Sequence, residues 1–143
     1  PSRRVVILYG ENDSQKAEFM ELGACFDNII FHKLSKNEHL PWIISGSIAT
    51  IALSKNEDFG MVATESMACG IPVIAVDEGG YRETVIHYQT GLLINANFSN
   101  NDIRDAILAL DREKSVSMET SCHEQAEKFS LSQFRSLLLS YFS

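Results

Sequence analysis

The segment "NEDFGMVATESMACGIPVIAVDEGGYRE", residues 56–83, decides the fold that we expect for this chain. Small and apolar residues at 60–69 predict a short helix that ends at Gly70, and Pro72 follows this glycine. "IPVIAV" is an apolar run of strand length, and a Gly-Gly pair then opens a second short helix, at 79–86. The segment therefore predicts a helix–strand–helix unit of an α/β protein.

The same alternation of strands and helices extends along the whole chain. Short apolar strands are predicted at 3–10, 28–32, 47–53, 71–76 and 91–94. Helices are predicted at 13–23, after a capping box at Ser35 and Glu38, at 60–69, 79–86, 100–111, 115–128 and 131–142. Because the third strand, 47–53, is apolar on both faces, we expect an open, Rossmann-like, mostly parallel sheet with helices on both faces.

Composition narrows the range of functions. The 143 residues are enough for one domain, and their net charge of −7 opposes binding to nucleic acid or to an anionic membrane surface. The cysteines, Cys25, Cys69 and Cys122, form no Cys-x-x-Cys pair, so neither a zinc site nor a disulfide framework is indicated. No apolar run has the roughly 18 residues that span a bilayer, and no signal peptide opens the chain. We expect a cytoplasmic protein without a transmembrane segment.

Two turns after strands are candidate ligand sites. "SKNEDFG" and "DEGG" each lead from a strand into a helix, where free N–H groups and the helix dipole favour an anion. Glu65 lies in a helix that is otherwise apolar and is expected to be buried, so its carboxylate must either reach an exposed edge or find hydrogen-bond donors. The vicinal hydroxyls of a ribose would supply them. Alternatively, Glu65 is a glutamate favoured near a helix N-terminus by the dipole alone.

Residues 57–94 resemble the signature of the family 4 retaining glycosyltransferases, whose fold is called GT-B. The pattern is Glu57, seven residues, Glu65, then Gly70 with Pro72-Val73, a Gly-Gly pair at 79–80, Glu83 and "TGLLI" at 90–94. The amino-acid sequence of this segment is especially similar to that of bacterial and archaeal mannosyltransferases of O-antigen and exopolysaccharide assembly. The resemblance covers residues 5 to about 129 in order.

The resemblance implies a role for individual residues. Glu65 would accept hydrogen bonds from the ribose of a nucleotide diphosphate sugar, and Glu57 would contact the transferred sugar as the catalytic residue. The sugar and diphosphate would face the backbone amides of Phe59, Gly60, Met61 and Val62. The base would lie at the strand end near Phe31, His32 and Lys33. Gly79, Gly80 and Glu83 would shape the turn beside the phosphates.

The resemblance also implies an organisation and an activity. Residues 1–129 would be part of the C-terminal, nucleotide-sugar-binding half of a GT-B enzyme, without its first strand. Residues 130–143 would form a helix that docks on an acceptor-binding N-terminal domain outside this sequence, which would place the protein peripherally at the inner membrane. The expected reaction moves a hexose, mannose from GDP-mannose, to a lipid-linked or glycan acceptor with retention. The sequence has no Asp-x-Asp, so no metal is expected.

Other functions stay open on the sequence alone. One is a non-catalytic nucleotide-sugar-binding subunit that needs a separate acceptor-binding chain. Another is a GT-B relative with different chemistry, such as a nucleotide-sugar epimerase. The resemblance implies that the Arg and Lys that grip the diphosphate in the family would precede the first residue of this sequence. We therefore expect the chain by itself to have no transferase turnover.

Overall fold

The computed structural model describes residues 3–10, 16–34 and 40–142. The chain divides into two compact units, residues 1–40 and residues 41–143. The predicted capping box at Ser35 and Glu38 lies outside the described residues, as does the helix start predicted at Asp13 or Ser14. The division predicted at residues 129 and 130 stays a prediction.

Unit 1 contains a parallel strand pair and one helix. Its elements are β1 (Val5–Tyr9), α1 (Lys16–Gly23) and β2 (Ile29–Lys33). Val5 is opposite Ile29 and Tyr9 is opposite Lys33, so the two strands end at the same edge. The first two predicted strands are confirmed with shifts of one or two residues at their ends.

The elements from residue 40 onward alternate between strands and helices until the last three helices. They are α2 (Leu40–Ser45), β3 (Thr50–Ala52), α3 (Met61–Ala68), β4 (Val73–Val76), α4 (Tyr81–Thr84), β5 (Gly91–Ile94), α5 (Asn100–Ala109), α6 (Arg112–Glu127) and α7 (Leu131–Ser140). The strands form a three-stranded sheet in the order β3-β4-β5, and both pairs are parallel. The expectation of an α/β fold with parallel strands is confirmed.

The core of unit 2 surrounds β4. All four residues of this central strand are buried, as expected of a parallel strand covered on both faces. Ala63 and Met67 of α3, Leu110 after α5 and Cys122 of α6 belong to the same buried cluster. Helix α3 packs on α6 and also contacts β3 and β4. The N-terminus of α3 is therefore held at a fixed place beside the sheet.

The ends of several elements differ from the prediction. The predicted strand at 47–53 is reduced to Thr50–Ala52, because Ser47 is still hydrogen-bonded to the end of α2: its N–H donates to Ile44 O at 2.8 Å and its hydroxyl to Ile43 O at 3.0 Å. The central residue of β3, Ile51, is exposed, so the expectation of an apolar strand buried on both faces was wrong there.

Side-chain caps fix the starts of the last three helices. Ser99 and Asp102 form a capping box at α5, and Ser130 accepts a hydrogen bond from the Gln133 N–H at α7, as predicted for Ser130. Helix α6 begins three residues before the predicted position, because the Asp111 carboxylate accepts a hydrogen bond from the Lys114 N–H at 2.8 Å.

Candidate functional site

Two turns lie side by side at the carboxyl ends of β3 and β4. We call residues 53–60 the β3–α3 turn and residues 77–80 the β4–α4 turn. The Gly80 N–H donates to the Glu57 carbonyl at 2.8 Å, and the Asn56 N–H donates to the Glu78 carboxylate at 3.0 Å. Because each turn satisfies polar groups of the other, the two turns form one structural unit.

The Gly-Gly pair makes this close approach possible. A Cβ atom on Gly80 would lie 2.6 Å from the Asp58 carbonyl oxygen and against the Phe59 backbone. A Cβ atom on Gly79 would overlap the Glu57 carbonyl, and Gly79 also has a positive φ of 53°. Only glycine fits at either position without a backbone shift. These glycines therefore shape the turn, the role that the sequence resemblance implied.

Gly60 starts helix α3 from a left-handed conformation. Its φ is 79°, and a Cβ atom there would approach the Tyr81 ring to 2.7 Å. Tyr81 is buried beneath this turn, and its hydroxyl is 3.0 Å from the Ser54 hydroxyl. The ring of Tyr81 thus supports the backbone of the β3–α3 turn from below, and this residue was not identified from the sequence as part of the site.

Glu57 is partly buried and already has one hydrogen-bond partner. Its Oε1 accepts a hydrogen bond from the Gly60 N–H at 3.2 Å, and its backbone carbonyl accepts the bond from Gly80. The carboxylate therefore lies at the N-terminus of α3, where the helix dipole favours a negative charge. A ligand that uses the Gly60 N–H has to replace this carboxylate oxygen. The roles predicted for both residues stay predictions.

The first turn of α3 offers free hydrogen-bond donors to solvent. Within residues 40–142, the backbone N–H groups of Met61 and Val62 have no acceptor, as is usual for the first amides of a helix. The side chains of Met61, Val62 and Phe59 are exposed. The expectation of a helix buried on nearly its whole surface was therefore wrong: only Ala63, Ser66 and Met67 of α3 are buried.

Glu65 lies on this exposed face of α3. It follows Met61 by four residues and Val62 by three, which places all three residues on one side of the helix. Its side chain is exposed, and among the described residues its carboxylate has no hydrogen-bond or ion-pair partner. Of the two outcomes that the sequence allowed, a hydrogen-bonded carboxylate or one at an exposed edge, the structure shows the second, because the helix turns Glu65 outward.

Acidic residues dominate the two turns. Within residues 53–60 and 77–84 the basic residues are Lys55 and Arg82, against five acidic ones: Glu57, Asp58, Asp77, Glu78 and Glu83. Arg82 forms an ion pair with Asp77 at 2.8 Å, and the Lys55 ammonium lies 5.8 Å from the centre of the Phe98 ring. Lys55 and Glu78 were not identified from the sequence as site residues, because polar and charged residues are common in turns that bind no ligand.

The three residues predicted to contact a base lie in unit 1. Phe31, His32 and Lys33 are consecutive at the carboxyl end of β2, and the His32 and Lys33 side chains are exposed. Phe31 packs at the end of α1, where Gly23 leaves room for its ring. Their assignment to a base stays a prediction.

The described ranges 3–10, 16–34 and 40–142 contain no cluster of three or more His, Cys, Asp or Glu side chains suited to a metal ion. They also contain no helix with the length and apolar character needed to cross a bilayer.

Comparison with known protein families matches most of the chain to one family. Residues 2–129 match the family model described as "Glycosyl transferases group 1". Two curated relatives are each 32% identical to the chain. D-inositol 3-phosphate glycosyltransferase from Mycobacteroides abscessus aligns with 98% of this chain and 33% of its own length. N-acetyl-alpha-D-glucosaminyl L-malate synthase from Bacillus anthracis aligns with 77% of this chain and 28% of its own length.

Comparison with solved structures agrees on the fold. TarM from S. aureus, in a structure that contains UDP, superposes with a TM-score of 0.80 at 21% identity. The superposition covers 98% of this chain and 29% of TarM. The chain thus spans about a third of the length of the proteins that it matches.

Proposed function

Because this chain belongs to the group 1 glycosyl transferases, we propose that it is the donor-binding part of a retaining glycosyltransferase. One observation carries the proposal: the carboxylate of Glu65, unpartnered among the described residues, lies on the exposed side of α3 about one turn after the free N–H groups of Met61 and Val62 at the helix N-terminus. Along α3, backbone N–H groups that can donate to an anion are thus followed by a carboxylate that can accept hydrogen bonds from hydroxyls.

A nucleotide diphosphate sugar matches this order of groups. Its phosphates would bind at the N-terminus of α3, where the free amides and the helix dipole attract negative charge. From Met61 to Glu65 the helix rises by about 6 Å, at roughly 1.5 Å per residue. The ribose next to the phosphates would therefore lie over Glu65, and its two hydroxyls would donate to the carboxylate.

Glu57 is proposed to contact the transferred sugar. Its carboxylate is already at the N-terminus of α3, so a sugar attached to the terminal phosphate would lie directly against it. In the reaction, the bond from the anomeric carbon to the phosphate oxygen breaks, and an acceptor hydroxyl oxygen bonds to the same face of that carbon. The acceptor proton passes to the leaving phosphate. Positive charge that develops on the sugar is stabilised by nearby negative groups such as Glu57.

We propose GDP-mannose as the donor, and the only support for this choice is that the sequence of residues 57–86 resembles that of mannosyltransferases. The competing donor is a UDP sugar, since the relative from B. anthracis is named for an N-acetylglucosaminyl product and TarM was solved with UDP. The proposed acceptor is lipid-linked or a glycan, bound by a domain outside this sequence. Binding is proposed to need no metal, because the sequence has no Asp-x-Asp that would hold a metal on the diphosphate.

Titration calorimetry of this chain with GDP-mannose and with UDP-N-acetylglucosamine tests the proposal. We expect one donor to bind, with unchanged affinity in the presence of a chelator. Glu65→Gln should weaken binding about tenfold, because the neutral amide accepts through one oxygen and more weakly than the charged carboxylate. The matched control is Glu124→Gln, an exposed glutamate of α6, which should change nothing. Equal affinities of the two variants would contradict the assignment of Glu65, and transferase turnover by the chain alone would contradict the expectation that it is inactive by itself.

A further inference from the structure

The ring of Phe129 contacts the ring of Phe59. Their centroids are 5.5 Å apart and their planes are inclined by 80°, the edge-to-face arrangement that aromatic pairs favour. Phe129 lies just after α6 and immediately before Ser130, which caps α7. The contact joins Phe129 to the β3–α3 turn, because Phe59 is the second of the two residues between Glu57 and Gly60.

A second contact ties the end of α6 to the neighbouring turn. The side-chain amide of Gln125 donates to the Thr84 carbonyl at 3.0 Å, at the end of α4. The Lys128 ammonium donates to the other end of this amide at 2.8 Å and fixes its orientation. Gln125 is buried, so its bond to Thr84 is shielded from water.

Both contacts lead to the same part of the site. Thr84 donates through its hydroxyl to the Gly80 carbonyl at 3.0 Å, and the Gly80 N–H donates to the Glu57 carbonyl. Gln125 therefore reaches Glu57 through α4, while Phe129 reaches Phe59 directly. The residues on either side of Asp58 are thus held by Gln125 of the last turn of α6 and by Phe129 just after this helix.

We propose that Phe129 is a positioning residue for the donor site: its ring fixes Phe59 and so sets the backbone of the β3–α3 turn that presents Glu57 and the amides of Gly60 and Met61. The Phe59 side chain is partly exposed, so without Phe129 one side of its ring would lose its packing. The Gln125 contact holds the neighbouring β4–α4 turn but does not restrain the Phe59 ring. The role in donor binding rests on the function proposed above.

Nuclear magnetic resonance of the ligand-free chain tests the positioning itself. Phe129→Ala is expected to shift the amide resonances of residues 57–62 and to speed hydrogen exchange at Gly60, whose N–H donates to the Glu57 carboxylate. Phe134→Ala removes the same ring from an exposed position of α7 and serves as the matched control. Phe129→Tyr keeps the ring and should restore the native spectrum of the turn. If the two alanine variants have the same spectrum over residues 57–62, the inference is wrong.

Donor affinity gives the second readout. Phe129→Ala should weaken binding of the donor about three- to tenfold, as the energy of one aromatic pair allows. In the double variant Phe59→Ala/Phe129→Ala the second substitution should add almost nothing, because the pair acts as a unit. If the losses of donor affinity in the two single variants add up fully in the double variant, the inference is wrong. If the unaltered chain binds no donor, the proposed function fails, and the ligand-free spectra still decide whether Phe129 positions the turn.

Discussion

The paired turns and helix α7 are rich in residues that the sequence suggests are buried, yet the structure treats them in opposite ways. At the turns, residues 56–60 pack closely against Gly79, Gly80 and Tyr81. A single Cβ atom added at either glycine would overlap the backbone of the facing turn. In α7, by contrast, none of the ten residues is buried. Leu131, Phe134 and Leu137–Leu139 expose their apolar side chains within the described chain. Apolar character alone therefore does not tell a core from a surface.

The difference teaches where stability and function should separate. Substitutions at the turns should change the free energy of unfolding and the presentation of Glu57 together. Substitutions in α7 should change neither, since the helix contributes little to the core of unit 2.

Leu110→Ala and Leu137→Ala should differ most. Leu110 is 1% exposed within the core, whereas Leu137 is 59% exposed on α7. Removing the buried side chain should cost about 2–5 kcal/mol of unfolding free energy, from lost burial and the cavity left behind. The exposed substitution should stay within about 0.5 kcal/mol. Urea unfolding measures both, and a large loss in Leu137→Ala would show that α7 is packed in solution.

Gly80→Ala should destabilise the chain by about 3 kcal/mol, because the added methyl group has to displace backbone atoms of Asp58 and Phe59. Gly46→Ala is the matched control, since its Cβ atom would have no heavy atom nearer than 3.7 Å. Thermal unfolding followed by circular dichroism compares them. Equal melting temperatures would mean that the turns do not approach each other as closely as described.

Tyr81→Phe should cost about 1 kcal/mol, because the hydroxyl pair between Tyr81 and Ser54 is lost inside the protein. Tyr88→Phe removes the same atom from a residue that is 70% exposed and should have almost no effect. Urea unfolding gives both values. The account of Tyr81 as a support of the β3–α3 turn fails if Tyr88→Phe is the more destabilising substitution.

The smallest expected effect is a pH dependence at the start of α5. The Ser99 hydroxyl and N–H donate to the Asp102 carboxylate, both at 2.7 Å, and hold its pKa below the ordinary value of 3.8. Because this pKa is lower in the folded chain than in the unfolded chain, the charged carboxylate stabilises the fold at pH values above the ordinary pKa. This contribution is lost as pH falls through the native pKa. Asp102→Asn should therefore lower the melting temperature slightly at neutral pH, and the difference should shrink in acid. A difference independent of pH would contradict this assignment.

Patterns of single elements could be read from the sequence, whereas contacts between distant residues could not. The apolar run 73–76, the stop at Gly70 and the cap at Ser130 follow from local rules, and the structure confirms them. The outward direction of Glu65 depends on which side of α3 packs on α6, and an almost uniformly apolar helix gives no sign of it. The Phe59–Phe129 contact joins residues seventy positions apart in the chain, and no spacing predicts it.

The most direct test of the donor site is a map of nucleotide-induced shifts in the amide spectrum of the chain. Titration with GDP, and separately with UDP, should shift Gly60, Met61, Val62 and Glu65, with smaller shifts at Gly79 and Gly80. The resonances of α7, residues 131–140, should stay unchanged. Shifts concentrated in α7, or no shift at residues 57–65 with either nucleotide, would contradict the central claim that the exposed face of α3 binds the donor.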